Sequence, residues 1–141
     1  MRSSRIAGII RSARELPESD GPIHVHGATQ ASQALLAARF AFESSVPVVV
    51  ICANDDVASE FVSDLEALSA TVDRTTLVAC HFPTWEQSPY SPIAPSLRAR
   101  LARVAALSAL TAGPAPRILV TTLAAACQAT MPRALFEQLS V

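Results

Sequence analysis

Apolar residues along this chain fall into four short runs, and the segments between the runs have helical spacing. Each run fits a strand: 23–26, 47–52, 76–82 and 117–121. The run 47–52 is continuous and β-branched, which favours a central parallel strand that is buried on both faces. The segments between and after the runs predict helices: 29–43, 54–69, 97–110, 122–128 and 133–139. Right-handed crossovers would then give an α/β domain, a parallel sheet in three αβα layers.

The sequence predicts that the chain divides into an N-terminal segment and one folded domain. Residues 1–22 form a helix and linker, with Ile6, Ile9 and Ile10 on one side of the helix and Pro17 at its end. Residues 23–141 form the α/β domain.

Composition narrows the range of functions. The 141 residues carry a formal net charge of −1, which gives no global attraction to nucleic acid or to an anionic membrane. All eleven basic residues are arginine, so no lysine is available for a phosphate loop or for Schiff-base chemistry. Neither a signal peptide nor a membrane-spanning run is found, which predicts a cytoplasmic protein. Three cysteines without a C-x-x-C pair predict buried free thiols: Cys52, Cys80 and Cys127.

The first strand, turn and helix, residues 23–42, have the order that opens most nucleotide-binding α/β domains. In the phosphate-loop frame G-x-x-x-x-G-K-[ST], only Gly27 keeps its residue type. Ser32 replaces the second glycine, Gln33 replaces the lysine, and Ala34 replaces the hydroxyl that binds magnesium. Each change weakens phosphate binding, since such a loop needs glycine amides and a lysine charge. The same residues also fit an ordinary strand–helix turn with one glycine.

Polar residues elsewhere each allow a chemical and a structural interpretation. Asp55 and Asp56 follow the second strand and could hold magnesium, but capping of the next helix explains them better. His24 and His26 share one face of the first predicted strand, yet a metal site would need further ligands. We therefore expect ordinary polar positions and no bound metal.

A proline-rich loop between residues 83 and 95 holds the only Trp and the only Tyr, Trp85 and Tyr90. Aromatic side chains flanked by proline could dock a partner, or both rings could cover the core at the end of the sheet. The following helix carries Leu97, Leu101 and Val104 along one face. It also carries three arginines that could form a partner-facing strip or a solvated face: Arg98, Arg100 and Arg103.

This loop and its surroundings resemble one known family. Residues 82–92 read FPTWEQSPYSP, an Arg-Leu helix follows, and residues 118–128 read ILVTTLAAACQ. With residues 23–44, they are similar to the N-terminal UvrB-homology module of bacterial transcription-repair coupling factor (Mfd). The residues on the family pattern are Trp85, Glu86, Pro89, Tyr90, Arg100, Leu101, Thr121 and Thr122.

The resemblance implies a UvrB/helicase-like domain 1a with a degenerate P-loop. UvrB itself reads G-x-T-G-S-G-K-T; here Gly27 and Thr29 keep that frame while Gln30, Ser32, Gln33 and Ala34 depart from it. The expected role is a non-catalytic scaffold in a larger protein, without a cofactor of its own. ATP and Mg would serve downstream motor domains. The expected partners are the protein's other domains and, through the full-length protein, UvrA, RNA polymerase and DNA; no membrane contact is expected.

Two alternatives remain open at this point. One is an active nucleotide-binding domain of the helicase superfamily, against which the missing lysine argues directly. The other is an unrelated doubly wound domain that binds a small molecule or a partner at the end of its sheet.

Overall fold

The structure is a computed structural model that describes residues 21–71, 77–85, 87–88, 90–111 and 117–139. Within these ranges the chain is an α/β domain with a small parallel sheet flanked by helices, as predicted. The strands are Val48–Cys52 (β1), Val78–Phe82 (β2) and Arg117–Thr122 (β3). The helices are Gln30–Glu43 (α1), Asp55–Thr71 (α2), Leu97–Thr111 (α3), Leu123–Ala126 (α4) and Arg133–Leu139 (α5). The helix predicted within residues 1–22 lies outside the described ranges.

The sheet has the order β1-β3-β2, and both pairings are parallel. The prediction that the β-branched run would be the central strand is wrong, because β3 takes the centre and β1 is an edge strand. Val50 of β1 faces the helices, whereas Val49 and Ile51 on the opposite face are exposed. An apolar run is compatible with an edge strand and with a central strand, so the composition of residues 47–52 did not distinguish the two.

The strand predicted at residues 23–26 does not form. The backbone there has no regular structure, and Ile23 and Val25 are exposed. His24 and His26 are exposed as well, and no strand of the sheet pairs with this segment. The apolar–polar alternation of four residues is therefore not sufficient to make a strand here.

The two faces of the sheet carry separate layers of helix. On one face, α1 and α2 pack Ala34, Phe61 and Leu65 against Ile118 and Val120 of the central strand. On the other face, Ala106 of α3 and Ala125 of α4 pack against Phe82 of β2. These layers confirm the flanking helices on both sides of the sheet.

Helix α3 packs through small residues rather than through its largest apolar ones. Its buried positions are Ala99, Arg103 and Ala106, spaced by four and three residues along one face. The face that carries Leu97 and Leu101 points to solvent. Alanine at the contact allows the helix backbone to approach the sheet closely, and this leaves the leucines outside.

Polar side chains cap the first turns of three helices. Asn54 Oδ1 accepts the amide of Val57 at 2.9 Å, and Asp55 and Asp56 occupy the first turn of α2. Thr122 Oγ1 accepts the amide of Ala125 at 3.1 Å, and Ser96 Oγ accepts that of Ala99 at 3.2 Å. These contacts satisfy amides that have no partner within a helix. Across the described ranges, no helix combines the length and the apolarity needed to cross a bilayer.

Candidate functional site

The turn before α1 is closed by its own side chains. Gly27 has a φ of +73°, a left-handed conformation that favours glycine. Thr29 is the N-cap: its Oγ1 accepts the amide of Ser32 at 3.4 Å and lies 3.0 Å from the Ser32 hydroxyl. Gln33 Nε2 donates to the carbonyl oxygen of Ala28 at 3.2 Å. The side chain at the position of a phosphate-binding lysine therefore folds back onto the turn.

The residues that follow this turn contact α2 and the core. Gln30, the first residue of α1, donates to Asp64 at 3.4 Å, nine residues after the start of α2. At 1.5 Å per residue, this contact is about 14 Å along α2 from Asp55, which follows the carboxyl end of β1. Ala34, at the position of the magnesium-binding hydroxyl, is fully buried in the core.

A different group of residues occupies the carboxyl ends of the strands. We call it the strand-end cluster: Asp55, Thr84, Trp85, Arg103 and Gln128. Arg103 is only 3% exposed. Its Nη1 donates to the Pro83 carbonyl oxygen at 2.8 Å and to Gln128 Oε1 at 3.3 Å. The same Gln128 oxygen accepts the backbone amide of Trp85 at 2.7 Å. One guanidinium and one amide thus join α3, the segment after β2 and the segment after α4.

Aromatic rings complete the environment of Arg103. Its Cζ lies 3.9 Å from the centre of the Phe82 ring and 4.4 Å from the centre of the Trp85 ring. Contacts of this kind stabilise a guanidinium that has lost water. Burial lowers the pKa of Arg103, and the nearby Asp55 carboxylate partly opposes that shift. Nη2 is buried and has no hydrogen-bond partner among the described residues.

Asp55 holds the turn after β2 against the start of α2. Its carboxylate accepts the Thr84 backbone amide at 3.2 and 3.3 Å and also bonds the Thr84 hydroxyl. Its Oδ1 lies 3.3 Å from Nε2 of His81. Since these contacts use both carboxylate oxygens, Asp55 serves to position the loop, in addition to its place in the first turn of α2.

A groove of about 620 Å³ lies between the proline-rich loop and the segment after α4. Trp85 and Gln128 connect the groove to the strand-end cluster. The remaining lining residues are Gln87, Ser88, Ser91, Pro92, Ile93, Ala94, Pro95, Cys127 and Ala129. The groove is open to solvent beside the cluster, whereas the guanidinium of Arg103 lies beneath Trp85 and is not accessible from it.

The candidate site residues predicted from the sequence do not form one surface in the structure. Trp85 packs on Arg103, while Tyr90 is 96% exposed, so the two rings do not form a common cover over the core. Arg98 and Arg100 are exposed, but the buried Arg103 does not belong to their strip, and that grouping is wrong. Glu86 and Pro89 lie outside the described residues.

The other polar candidates form no site. His24 and His26 are exposed in the segment before α1, and they do not share a strand face because the strand is absent. Among the described residues, no group of three potential metal ligands comes together. The prediction that all three cysteines are buried is wrong for Cys127, which is exposed at the end of α4, whereas Cys52 and Cys80 are half-buried in their strands.

The cysteines provide a direct check of this arrangement. Burial raises the pKa of the Cys52 and Cys80 thiols, so at a given pH less of each is thiolate, the reactive form. We expect Cys127 to react first with a thiol reagent such as DTNB, in the native protein at pH 8. The Cys127→Ser variant should lose this fast phase and keep the slow ones. Equal rates for all three thiols, or an unchanged fast phase in Cys127→Ser, would contradict the structure.

Sequence reasoning did not identify Gln128 or Thr84 as parts of the cluster. Gln128 is 25 residues from Arg103 and 43 from Trp85, and no local pattern connects them. The one available signal was that the single tryptophan lies just after a predicted strand, where a large ring must find a cover or a partner.

Comparisons with known proteins add no relative. The chain matches no family model, no curated protein and no solved structure.

Proposed function

We propose that this chain is a non-catalytic scaffold domain, the N-terminal UvrB-like module of a transcription-repair coupling factor. In such a protein, the complete molecule displaces stalled RNA polymerase and recruits UvrA to damaged DNA in nucleotide excision repair. Downstream domains would bind ATP, Mg and DNA. This chain would pack against the other domains and help to present or mask the surface that binds UvrA.

One observation carries the non-catalytic part of this proposal. The turn in the phosphate-loop frame keeps a left-handed Gly27 and a helix start, but Thr29 Oγ1 accepts the Ser32 amide and Gln33 donates to the Ala28 carbonyl oxygen. A phosphate would have to displace the Thr29 contact to reach that amide, and no lysine is present to attract it. The module identity rests on the sequence resemblance, chiefly on the run from Trp85 to Tyr90.

The groove beside the strand-end cluster favours a second candidate, an unrelated doubly wound domain that binds a small molecule or a partner there. Its volume of about 620 Å³ is within the range of small-molecule pockets. The genomic sequence after this chain separates the two candidates. A UvrA-binding domain followed by a motor supports the coupling factor, and an open reading frame without either contradicts it.

The non-catalytic assignment is tested by calorimetric titration of the purified chain with Mg-ATP and, separately, with Mg-ADP. We expect no binding heat and no rise in melting temperature with either nucleotide. Saturable binding at micromolar concentration would overturn the assignment and restore the nucleotide-dependent alternative.

Restoring the lysine alone is expected to create no ATPase activity. In Gln33→Lys, Ser32 still stands in place of a glycine, and the buried Ala34 still offers no hydroxyl to magnesium. Phosphate release should remain at the level of the no-enzyme blank in a coupled assay. Gln33→Ala is the matched control, because it removes the same contact to Ala28 without adding a charge. Measurable turnover in Gln33→Lys but not in Gln33→Ala would contradict the proposal.

A further inference from the structure

Helix α3 presents an apolar face to solvent. Leu97, Leu101 and Val104 are 62%, 58% and 52% exposed, and they follow each other at spacings of four and three residues. We call these three side chains the α3 stripe. The seven helical steps from Leu97 to Val104 make the stripe about 11 Å long, or two helical turns. Single exposed apolar residues are ordinary, but three on one helix face form a ridge with the geometry of a helix-packing surface.

The charges beside the stripe all have one sign. At 100° per residue, Arg100 lies roughly 70° to one side of the centre of the stripe and Arg98 roughly 90° to the other. Both arginines are exposed, and neither forms an ion pair within the described part of the chain. Helix α3 itself contains no acidic residue. The stripe therefore has an unpaired cation on each side.

This arrangement selects the kind of partner. We infer that the α3 stripe and its two arginines dock an amphipathic helix of another protein, with an apolar seam and acidic residues along both sides of the seam. An apolar seam flanked by charge is how helices choose partners in coiled coils and in helix-binding grooves. The acidic flanks would pair with Arg98 and Arg100, and the seam would cover the stripe.

The pattern disfavours a second copy of the chain. Two α3 helices facing each other would bring four arginines together, which opposes association. The acidic helix of this chain, α2, has Ser59, Glu60, Ser63 and Glu66 among its exposed residues, so it offers charge but no aliphatic seam. An anionic membrane surface is also disfavoured, because three aliphatic side chains are few for insertion and the chain as a whole has a net charge of −1.

The loop that leads into α3 extends the apolar surface along the chain. Tyr90 is 96% exposed and Ile93 is 66% exposed. Tyrosine is enriched among the residues that contribute most to protein–protein binding.

The test uses the full 141-residue chain and two designed helical peptides with the same leucine seam. One peptide has glutamate on both flanks and the other has lysine. Fluorescence anisotropy should show at least tenfold tighter binding of the glutamate peptide, and this preference should shrink as salt rises. Equal affinity for both peptides, or no binding of either at millimolar concentration, would overturn the inference.

Variants separate the two components of the surface. Leu101→Ala should weaken binding of the glutamate peptide at least fivefold, whereas Val46→Ala, another exposed apolar truncation, should not change it. Arg98→Glu/Arg100→Glu should reverse the preference in favour of the lysine peptide. All substituted side chains are exposed, so circular dichroism melting curves should match the wild type. An unchanged preference in the charge-reversed variant would overturn the inference.

Two further measurements test whether a membrane or a second copy of the chain covers the α3 stripe instead. Co-sedimentation with phosphatidylglycerol vesicles should leave the chain in solution, and sedimentation velocity should give one species of the same size for wild type and Leu101→Ala. Vesicle binding, or a dimer that Leu101→Ala disrupts, would replace the proposed partner by a membrane or by a second copy. Neither outcome depends on the nucleotide titrations, so this inference and the proposed function can fail separately.

Discussion

Replacing Arg103 with alanine is expected to lower the free energy of unfolding by about 3 kcal/mol. The substitution removes the hydrogen bonds to Pro83 and Gln128. The half-buried Pro83 carbonyl oxygen loses this donor, whereas Gln128 Oε1 keeps the Trp85 amide. It also removes the guanidinium that contacts the Phe82 and Trp85 rings. For a domain of this size the melting temperature should fall by roughly 10 °C.

The same helix supplies the control for this experiment. Arg100→Ala removes the same side chain from an exposed position, so its effect should stay within about 0.5 kcal/mol. Arg103→Lys keeps a positive charge but loses the planar group with its paired donors, and it should retain most of the destabilisation. If Arg103→Ala and Arg100→Ala melt at the same temperature, Arg103 does not hold the strand ends together.

Truncating Trp85 to alanine should cost about 2–3 kcal/mol. A fully buried aromatic ring costs more, roughly 3–5 kcal/mol, but Trp85 is only half-buried. The loss comes from its contact with Arg103 and from exposure of the buried guanidinium to water. Chemical denaturation followed by far-UV circular dichroism measures the change, because the variant has no tryptophan left for fluorescence.

Tyr90→Ala provides the comparison within the same loop. Its ring is almost fully exposed, so stability should change by no more than about 0.5 kcal/mol. A double-mutant cycle between Trp85 and Arg103 should show a coupling of about 1 kcal/mol, because each side chain loses its contact when the other is truncated. A Trp85→Ala variant as stable as the wild type would instead favour a docking role for the indole.

Helix positions and the parallel arrangement could be predicted from the sequence, because helical periodicity and capping side chains such as Asn54 and Thr122 are local signals. The order of the strands could not. Val48–Cys52 is apolar on both faces, so its residue types fit a central strand as well as the edge position that it occupies. Residues 23–26 have the alternation of a strand but do not pair with the sheet, and four residues of alternation do not specify such a pairing.

The site was harder to predict than the fold. Arg103 has the same local context as Arg98 and Arg100, and only the packed sheet determines which of the three is buried. Likewise, the leucines of α3 have the spacing of a core face, while the close approach of the helix to the sheet requires Ala99 and Ala106 at the contact. Both features depend on contacts between distant parts of the chain.

The central position of β3 has a consequence for the order of folding. β1 pairs with a strand 70 positions later, Val48 with Ile118, and β2 pairs with one 39 positions later, Ala79 with Ile118. Within the described sheet β1 and β2 do not pair with each other, so neither has a partner until β3 has been synthesised. Closing such long loops slows folding. Until then, the backbone N–H and C=O groups of the apolar β1 have no partner strand. On the ribosome, the helices before β3 can form early, but the sheet assembles only after residue 122 has emerged.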